Sequence, residues 1–353
     1  MKIGILTLPL KTNYGCLLQA YALQKVLIKR GHDAWIIRRR WNSETQGALH
    51  KCTKVIYHKL IIRKFNHFVK TYLLPQTKIV DTKYKVSELE KLSFDAYVVG
   101  SDQVWRMRYT RGVGYNFFLD FVNNDNIKKF AYAASFGVDY WDDIDPNESI
   151  PVVKKLLNQF DAIFVREKSG CKLCKDVFGI NAELVLDPTL LLSADDYIRS
   201  FQLKRIDKKY LAVYILDMNA EKKRIVNEIS SMLNLPVRYL NYASNNSSFP
   251  ILDDIIKPSV EKWVQSIYNS QYVLTDSFHG TLFSIIFKRQ FVTISNKKRG
   301  ETRIHSILDI LGLENRILNN DMKIIYYNIN YDEVYLKLEE MRNLSFKCID
   351  SFV

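Results

Sequence analysis

Residues 271–289 read QYVLTDSFHGTLFSIIFKR. Tyr272 to Leu274 is a short apolar run of strand type, and Thr275, Asp276 and Ser277 after it all favour the N-cap of a helix. His279 and Gly280 then open the run TLFSIIF, long enough for two helical turns. The stretch predicts a strand, a tight turn and a helix with a histidine at its mouth. Unpaired backbone N–H groups point outward at such a mouth, and the helix dipole adds positive potential. An anion fits there, and a histidine beside it can trade protons near neutral pH. The alternative is a histidine that only caps its own helix.

The same alternation extends to both sides. Upstream, Lys2–Leu8 reads as a strand, the loop KTNYG follows, and a helix runs from Cys16 to Arg30 and stops at Gly31. Asp33–Arg38, Phe94–Gly100, Ile127–Phe136, Asp161–Arg166 and Glu183–Leu186 read as further apolar strands. The polar, turn-prone stretch Ser193–Lys209 marks a boundary, so an N-terminal domain covers residues 1–195. Beyond it, Tyr210–Leu216, Val237–Leu240 and Phe291–Ser295 are strands, and Ala220–Leu233, Val260–Tyr268 and Thr302–Leu311 are helices. These complete a C-terminal domain over residues 205–330, followed by a tail, residues 331–353, of helical character. Near-continuous apolar strands alternating with helices predict parallel sheets covered on both faces. The fold class is therefore α/β, with two doubly wound Rossmann-like domains facing a cleft, which resembles the GT-B glycosyltransferase architecture. Ligands in such sheets sit beyond the carboxyl ends of the strands.

Several side chains are placed where chemistry can happen. In GSDQVW (100–105), Asp102 follows a strand directly, and a carboxylate there can act as general base toward a sugar hydroxyl. Trp105 offers an apolar face for a sugar ring; a packed tryptophan behind a capping aspartate is the plain alternative. Arg166 ends the strand DAIFVR and can hold a carboxylate or phosphate in a bidentate fork. The loop KKRGETR (297–303) brings Lys297, Lys298, Arg299 and Arg303 close in sequence to His279, and it too can grip phosphate. His305 lies inside a helix and reads as packing. Asn13 and Gly15 lie at the start of the first helix, where a glycine permits close backbone approach. GxGxxG is absent, so NYG is not a dinucleotide fingerprint.

Composition bounds the remaining choices. The chain has 353 residues, 47% of them hydrophobic and 25% charged, enough for two cored domains. No apolar run reaches the ~18 residues needed to span a bilayer. The apolar run at the N-terminus is short and no small-residue cleavage site follows it, so a strand is preferred to a signal peptide and a cytoplasmic protein is expected. Five scattered cysteines do not describe a disulfide framework. Cys171 and Cys174 form a lone CxxC without the second pair a zinc site needs, and read as buried thiols. No metal or cofactor is expected. A net charge of +13 calls for an anionic partner. Residues 45–80 contain no Asp or Glu. There Tyr57, Ile61, Phe65, Phe68 and Tyr72 form an apolar helical stripe opposite Lys59, Arg63, His67 and Lys70. That stripe either packs on the sheet or faces an anionic membrane.

The chain also resembles the polysaccharide pyruvyltransferase family. DSFHGTLFSI is similar to the family's signature, and NYGCLLQAYAL, VVGSDQVW, VREKSG, LDPTLLL and RGETRIHSIL match in the family's order over about residues 1–313. Many members carry an arginine two residues before the histidine, where this chain has Ser277. The resemblance implies transfer of the enolpyruvyl group of phosphoenolpyruvate to two hydroxyls of a glycan sugar in surface polysaccharide biosynthesis, making a pyruvate ketal. With position, it assigns His279 as proton donor and Asp102 as base, with those roles exchangeable, and Arg166 with Arg303 as anion clamps. Ser277, Gly280, Lys298 and Arg299 join the donor side in the C-terminal domain. Asn13, Gly15 and Trp105 join the acceptor side. A lipid-linked acceptor is expected, met at the inner face of an anionic membrane by residues 45–80. A glycosyltransferase using a nucleotide sugar is the second reading. A nucleic-acid binder is the third, and no recognition motif for nucleic acid is present.

Overall fold

The computed structural model describes residues 1–40, 52–81, 86–241, 257–296, 299–318 and 328–352. Two compact units result: Met1–Leu49, Val69–Leu192 and Leu338–Val353 form one, and His50–Phe68 with Ser193–Lys337 form the other.

The first unit carries β1 (Lys2–Leu6), α1 (Tyr14–Lys29), β2 (Asp33–Ile37), the end of α2 (Cys52–Tyr72), β3 (Ala96–Val99), α3 (Met107–Thr110), β4 (Lys128–Ala134), α4 (Pro146–Leu157), β5 (Ala162–Val165), α5 (Lys168–Leu173) and β6 (Glu183–Leu184). Its strands pair in the order β2-β1-β3-β4-β5-β6, all parallel. Every residue of β3 is buried, as a strand covered on both faces requires. The direction of winding reverses between β1 and β3, which pair Leu6 with Val99 at their carboxyl ends. A doubly wound sheet opens its ligand crevice at such a reversal. Both Asn13, which caps α1 by accepting from the Cys16 N–H at 3.2 Å, and Asp102 follow these two strands.

The second unit contains α6 (Ala194–Phe201), β7 (Leu211–Tyr214), α7 (Ala220–Leu233), β8 (Val237–Tyr239), α8 (Val260–Asn269), β9 (Tyr272–Thr275), α9 (Phe278–Ile286), β10 (Gln290–Ile294), α10 (Thr302–Leu311) and β11 (Ile317–Leu318). Its strands run parallel in the order β11-β10-β9-β7-β8. Read from β7, this is again a second-first-third-fourth order, and the reversal falls between β7 and β9. Thr275 and Asp276 stand at that reversal as Ser101 and Asp102 stand at the first. The helix α9 is buried along its whole length, which accounts for its run of apolar residues on every side. Trp263 fills the space above it, with ring centroids 5.1 Å from Tyr214 and 5.4 Å from Phe283.

Two segments differ from the expected division. The helix α2 belongs to the second unit as far as Phe68, although the sequence places residues 45–80 in the N-terminal domain. Ile61, Phe65 and Phe68 are buried, and the Lys257 ammonium lies 5.2 Å over the Phe65 ring. The stripe is thus covered by protein at these three residues and half-covered at Tyr72, while Arg63, His67 and Lys70 remain exposed. Residues 45–51 and the side chains of Tyr57 and Lys59 lie outside the described residues. The tail is no separate appendage. In α11 (Tyr331–Asp350), Tyr335 donates to the Ile286 carbonyl at 2.8 Å in the second unit. Further along, Arg342 donates to the Leu190 carbonyl at 2.6 Å in the first, and Phe352 stacks on Phe130 at 4.3 Å. None of the described helices is long and apolar enough to cross a membrane.

Candidate active site

The carboxyl end of the first sheet is organised around Arg166. Its guanidinium has no exposed surface and meets Asp187 at 2.7 Å, Asp102 at 3.3 Å and Glu167 at 3.9 Å. Ser101 closes the group, accepting from Arg166 at 3.0 Å and donating to Asp187 at 2.9 Å. Burial opposes the Arg166 charge, but Asp187, Asp102 and Glu167 outweigh it and raise its pKa above the ordinary value. The network joins three sequence motifs: GSDQVW gives Ser101 and Asp102, VREKSG gives Arg166 and Glu167, and LDPTLLL gives Asp187.

Asp102 sits here in an unusual backbone state, with φ at +85°. Aspartate tolerates positive φ better than most residues because its short side chain bonds the local backbone. The Gln103 N–H donates to its Oδ1 at 2.9 Å, and its carbonyl accepts from the Val104 N–H at 2.7 Å. A register shift in β4 around Ala133, itself at φ +52°, lets the Ser135 N–H reach the Asp102 carbonyl at 3.1 Å. Burial pushes the nearby Cys16 thiol well above its ordinary pKa, and the Asp102 charge adds to this.

In the second unit, Asp276 ties together the loops after β7, β9 and β10. It accepts from the Leu216 N–H at 2.6 Å, the Lys222 ammonium at 2.7 Å and the Asn296 amide at 2.9 Å. Asp217 accepts both arms of Arg299 at 2.8 Å. Those hydrogen bonds hold its carboxyl well below the usual carboxylate range. Ser277 caps α9, its Oγ accepting from the Gly280 N–H at 3.4 Å. His279 is the second helical residue and is buried. Arg303, also buried, lays its guanidinium over the Phe278 ring at 5.3 Å and donates to the Gly300 carbonyl at 3.3 Å. A cation thereby lies against Phe278, the first residue of α9.

Gly280 makes this geometry possible. A Cβ there would lie 2.3 Å from Thr275 Oγ1. That hydroxyl donates to the Tyr214 carbonyl at 2.7 Å and accepts from the Ser277 N–H at 3.1 Å. Gly280→Ala is expected to destabilise the protein by about 1–3 kcal/mol through overpacking. Denaturant titration measures this, and an unchanged midpoint would mean that Thr275 moves aside without cost.

The residues singled out by sequence are thus distributed unevenly. Asp102 and Arg166 meet directly in one unit, and His279, Ser277, Gly280, Arg299 and Arg303 cluster in the other. Lys298 and Lys297 lie outside the described residues. Gly15 is buried in the first turn of α1. Trp105 offers no face to a sugar: it is fully buried, stacked on Phe118 at 5.7 Å, with its Nε1–H donated to the Phe117 carbonyl. His305 is exposed rather than packed. Burial raises the thiol pKa of Cys171, and that of Cys174 to about 12. Sequence reasoning passed over Asp187, Glu167 and Asp217, and read Asp276 only as a residue that favours a helix cap. An acid before proline inside the apolar run of LDPTLLL is the signal that could have found Asp187.

A family model described as polysaccharide pyruvyl transferase matches residues 13–298. No curated protein matches the chain. Among solved structures, the UDP-GlcNAc 2-epimerase of Methanocaldococcus jannaschii in complex with UDP-GlcNAc and UDP is similar at TM-score 0.51 and 15% identity, over 97% of this chain and 93% of that one. The S. aureus MnaA structure with UDP gives TM-score 0.49 and 14% identity over 97% and 88%. The spinosyn forosaminyltransferase SpnP gives 0.44 and 11% over 98% and 91%. Identities this low concern fold alone, and the last two carry no weight beyond the comparison. The likeness to the epimerase is thus one of fold, and in this chain that fold is two parallel sheets flanked by helices.

Proposed function

The chain belongs to the polysaccharide pyruvyl transferase family, a family of transferases, and from that premise we propose that it uses phosphoenolpyruvate to build a pyruvate ketal on a glycan sugar. The observation that carries this reading is His279 at the positive mouth of α9, with the Arg303 guanidinium against the preceding ring. Phosphoenolpyruvate has a carboxylate and a phosphate, and both suit a helix N-terminus and an arginine. In the proposed reaction His279 protonates the enol methylene, leaving a cationic carbon. Asp102 takes the proton from an attacking sugar hydroxyl as its oxygen bonds to that carbon. The second hydroxyl then closes the ring, giving its proton to the phosphate that departs with its bonding pair; Asp102 gives up its proton and His279 regains one through solvent, and the products are the ketal and inorganic phosphate. Where many relatives have arginine, Ser277 only caps the helix, so Arg303 supplies the cation. Arg166, with no exposed surface, orients Asp102 instead of holding donor.

Thermal unfolding with each candidate donor tests the reading. Phosphoenolpyruvate should raise the midpoint in proportion to its occupancy, because it binds the folded state alone. Stabilisation by a nucleotide sugar and none by phosphoenolpyruvate would support glycosyl transfer in its place.

The lipid-linked acceptor belongs to this proposal in a narrower form. The stripe of α2 is covered at Ile61, Phe65 and Phe68, which leaves its basic face as the part that could dock. Each exposed Lys or Arg near anionic lipid contributes about 1 kcal/mol. Charge reversal at Arg63 and Lys70 is expected to weaken low-salt co-sedimentation with anionic vesicles while sparing turnover on a water-soluble acceptor. Equal co-sedimentation of variant and wild type would remove this face from membrane docking.

A further inference from the structure

Resting on that transfer reading, we propose that Gln103 is a hydrogen-bond donor to the acceptor sugar beside Asp102, and that Arg106 and Asp142 are positioning residues that fix its amide. Gln103 is 9% exposed. Its Oε1 accepts from Arg106 NH1 at 3.0 Å. A guanidinium can only donate, so the oxygen must face it and the orientation of the amide is settled. The Nε2 group, with two protons, is therefore turned away from Arg106. It makes no hydrogen bond among the described residues, and it is not sealed from solvent. With no protein partner among the described residues, these donors meet only water in the free protein, and a sugar oxygen can take the place of that water.

The frame around this amide is built with unusual care for a surface loop. Arg106 is buried, and its Nε donates to Asp142 Oδ2 at 2.7 Å, with side chains only 6% and 11% exposed. The same NH1 that holds Gln103 also donates to the Tyr109 hydroxyl at 3.1 Å, and the guanidinium lies 4.6 Å over the Tyr109 ring. Arg108 N–H binds the Asp142 carbonyl at 3.1 Å, fastening the loop after β3 to the loop after β4. From the other side, Gly137 presses on the amide: at φ +77°, a Cβ there would stand 2.1 Å from Gln103 Oε1. Glu167 holds that glycine in place by accepting from the Phe136 and Gly137 N–H groups at 2.9 and 3.2 Å.

These groups match a polyhydroxylated ring. The carboxylate of Asp102 takes a proton from one hydroxyl, and an amide donor in the next residue binds a neighbouring oxygen. The ring of Tyr109, 40% exposed and tied to the same arginine nitrogen, gives apolar surface for the sugar's C–H face. This is the role that the buried Trp105 does not fill.

The test uses the full chain, phosphoenolpyruvate and a panel of methyl glycosides as acceptors, with phosphate release as the readout. Gln103→Leu removes the amide. Gln103→Glu keeps its volume and its contact with Arg106 but removes the donor, so it covers the case in which leucine disturbs folding. Both should lower kcat/KM for the best glycoside by about tenfold or more, with the KM for phosphoenolpyruvate unchanged. Asp142→Asn should raise the KM for the glycoside and leave that for phosphoenolpyruvate alone, whereas a merely structural role would move both together with the unfolding temperature. Wild-type kcat/KM for the glycoside in the Gln103 variants overturns the assignment of Gln103 and leaves the transfer reading standing. A wild-type protein that releases no phosphate with any glycoside overturns both.

Discussion

His279→Gln is expected to lower turnover by about 10²–10⁴-fold, the contribution of a positioned general acid in the proposed reaction. Glutamine keeps the size of the side chain and its hydrogen-bonding capacity but cannot deliver a proton. The loss should appear in kcat, while phosphoenolpyruvate still raises the unfolding temperature, because α9 and Arg303 remain. Retained folding is expected, since α9 is capped by Ser277 and held by Thr275, neither of which touches the imidazole through a described hydrogen bond. Steady-state phosphate release together with a thermal shift separates the two effects. Wild-type turnover in this variant would take His279 out of the chemistry and leave it as a packed residue of the helix mouth.

Arg166→Met has its large effect on the fold. The substitution leaves Asp102, Asp187 and Glu167 facing one another with no cation, and removal of one partner from a buried ion pair costs about 3–5 kcal/mol. The sign of the pH dependence follows from the same picture. Without the guanidinium, burial and mutual repulsion raise the carboxyl pKa values in the folded variant above their unfolded values. The folded variant then binds more protons than the unfolded chain, so its stability falls as pH rises and recovers as pH is lowered toward the carboxylate range. Adding Asp187→Asn should restore part of the loss, which a double-mutant cycle reads as a coupling between the two positions. A variant with wild-type stability at neutral pH would show that these groups are not held as a charged network.

How far the sequence foretold this arrangement depends on whether a feature is local. The strands were legible because parallel strands covered on both faces are apolar throughout, so Phe94–Gly100 and Tyr210–Leu216 announced β3 and β7 with only their ends overextended. The strand β11, Ile317–Leu318, is too short to show a period. In α4, Ile150, Val153 and Leu157 stand at helical spacing behind the cap Asp145, a signal that was there to be read. The turn around Ser277 and Gly280 was legible for the same reason, since caps and helix starts are written in adjacent residues.

The rest depended on contacts between distant parts of the chain. Arg166 looked like an open strand-end charge because its distant partners come from two other motifs, Asp102 among them 64 positions away. Trp105 looked available because strand ends face the ligand side of a doubly wound sheet; instead its indole is buried against Phe118 and bonded to the Phe117 carbonyl, both beyond the motif. The same nonlocal origin hid Asp276, whose partners Leu216, Lys222 and Asn296 lie on separate loops. In each case residue type was a sound guide to chemistry and a poor guide to which neighbour would meet it.

The most direct measurement is the mass of the product. The protein is incubated with phosphoenolpyruvate and an acceptor glycan, and glycan and phosphate are analysed together. The account predicts a glycan heavier by one pyruvate less one water, formed in step with one inorganic phosphate and lost in His279→Gln. A glycan left unchanged while phosphoenolpyruvate is untouched, or one lengthened by a sugar from a nucleotide donor, would contradict it.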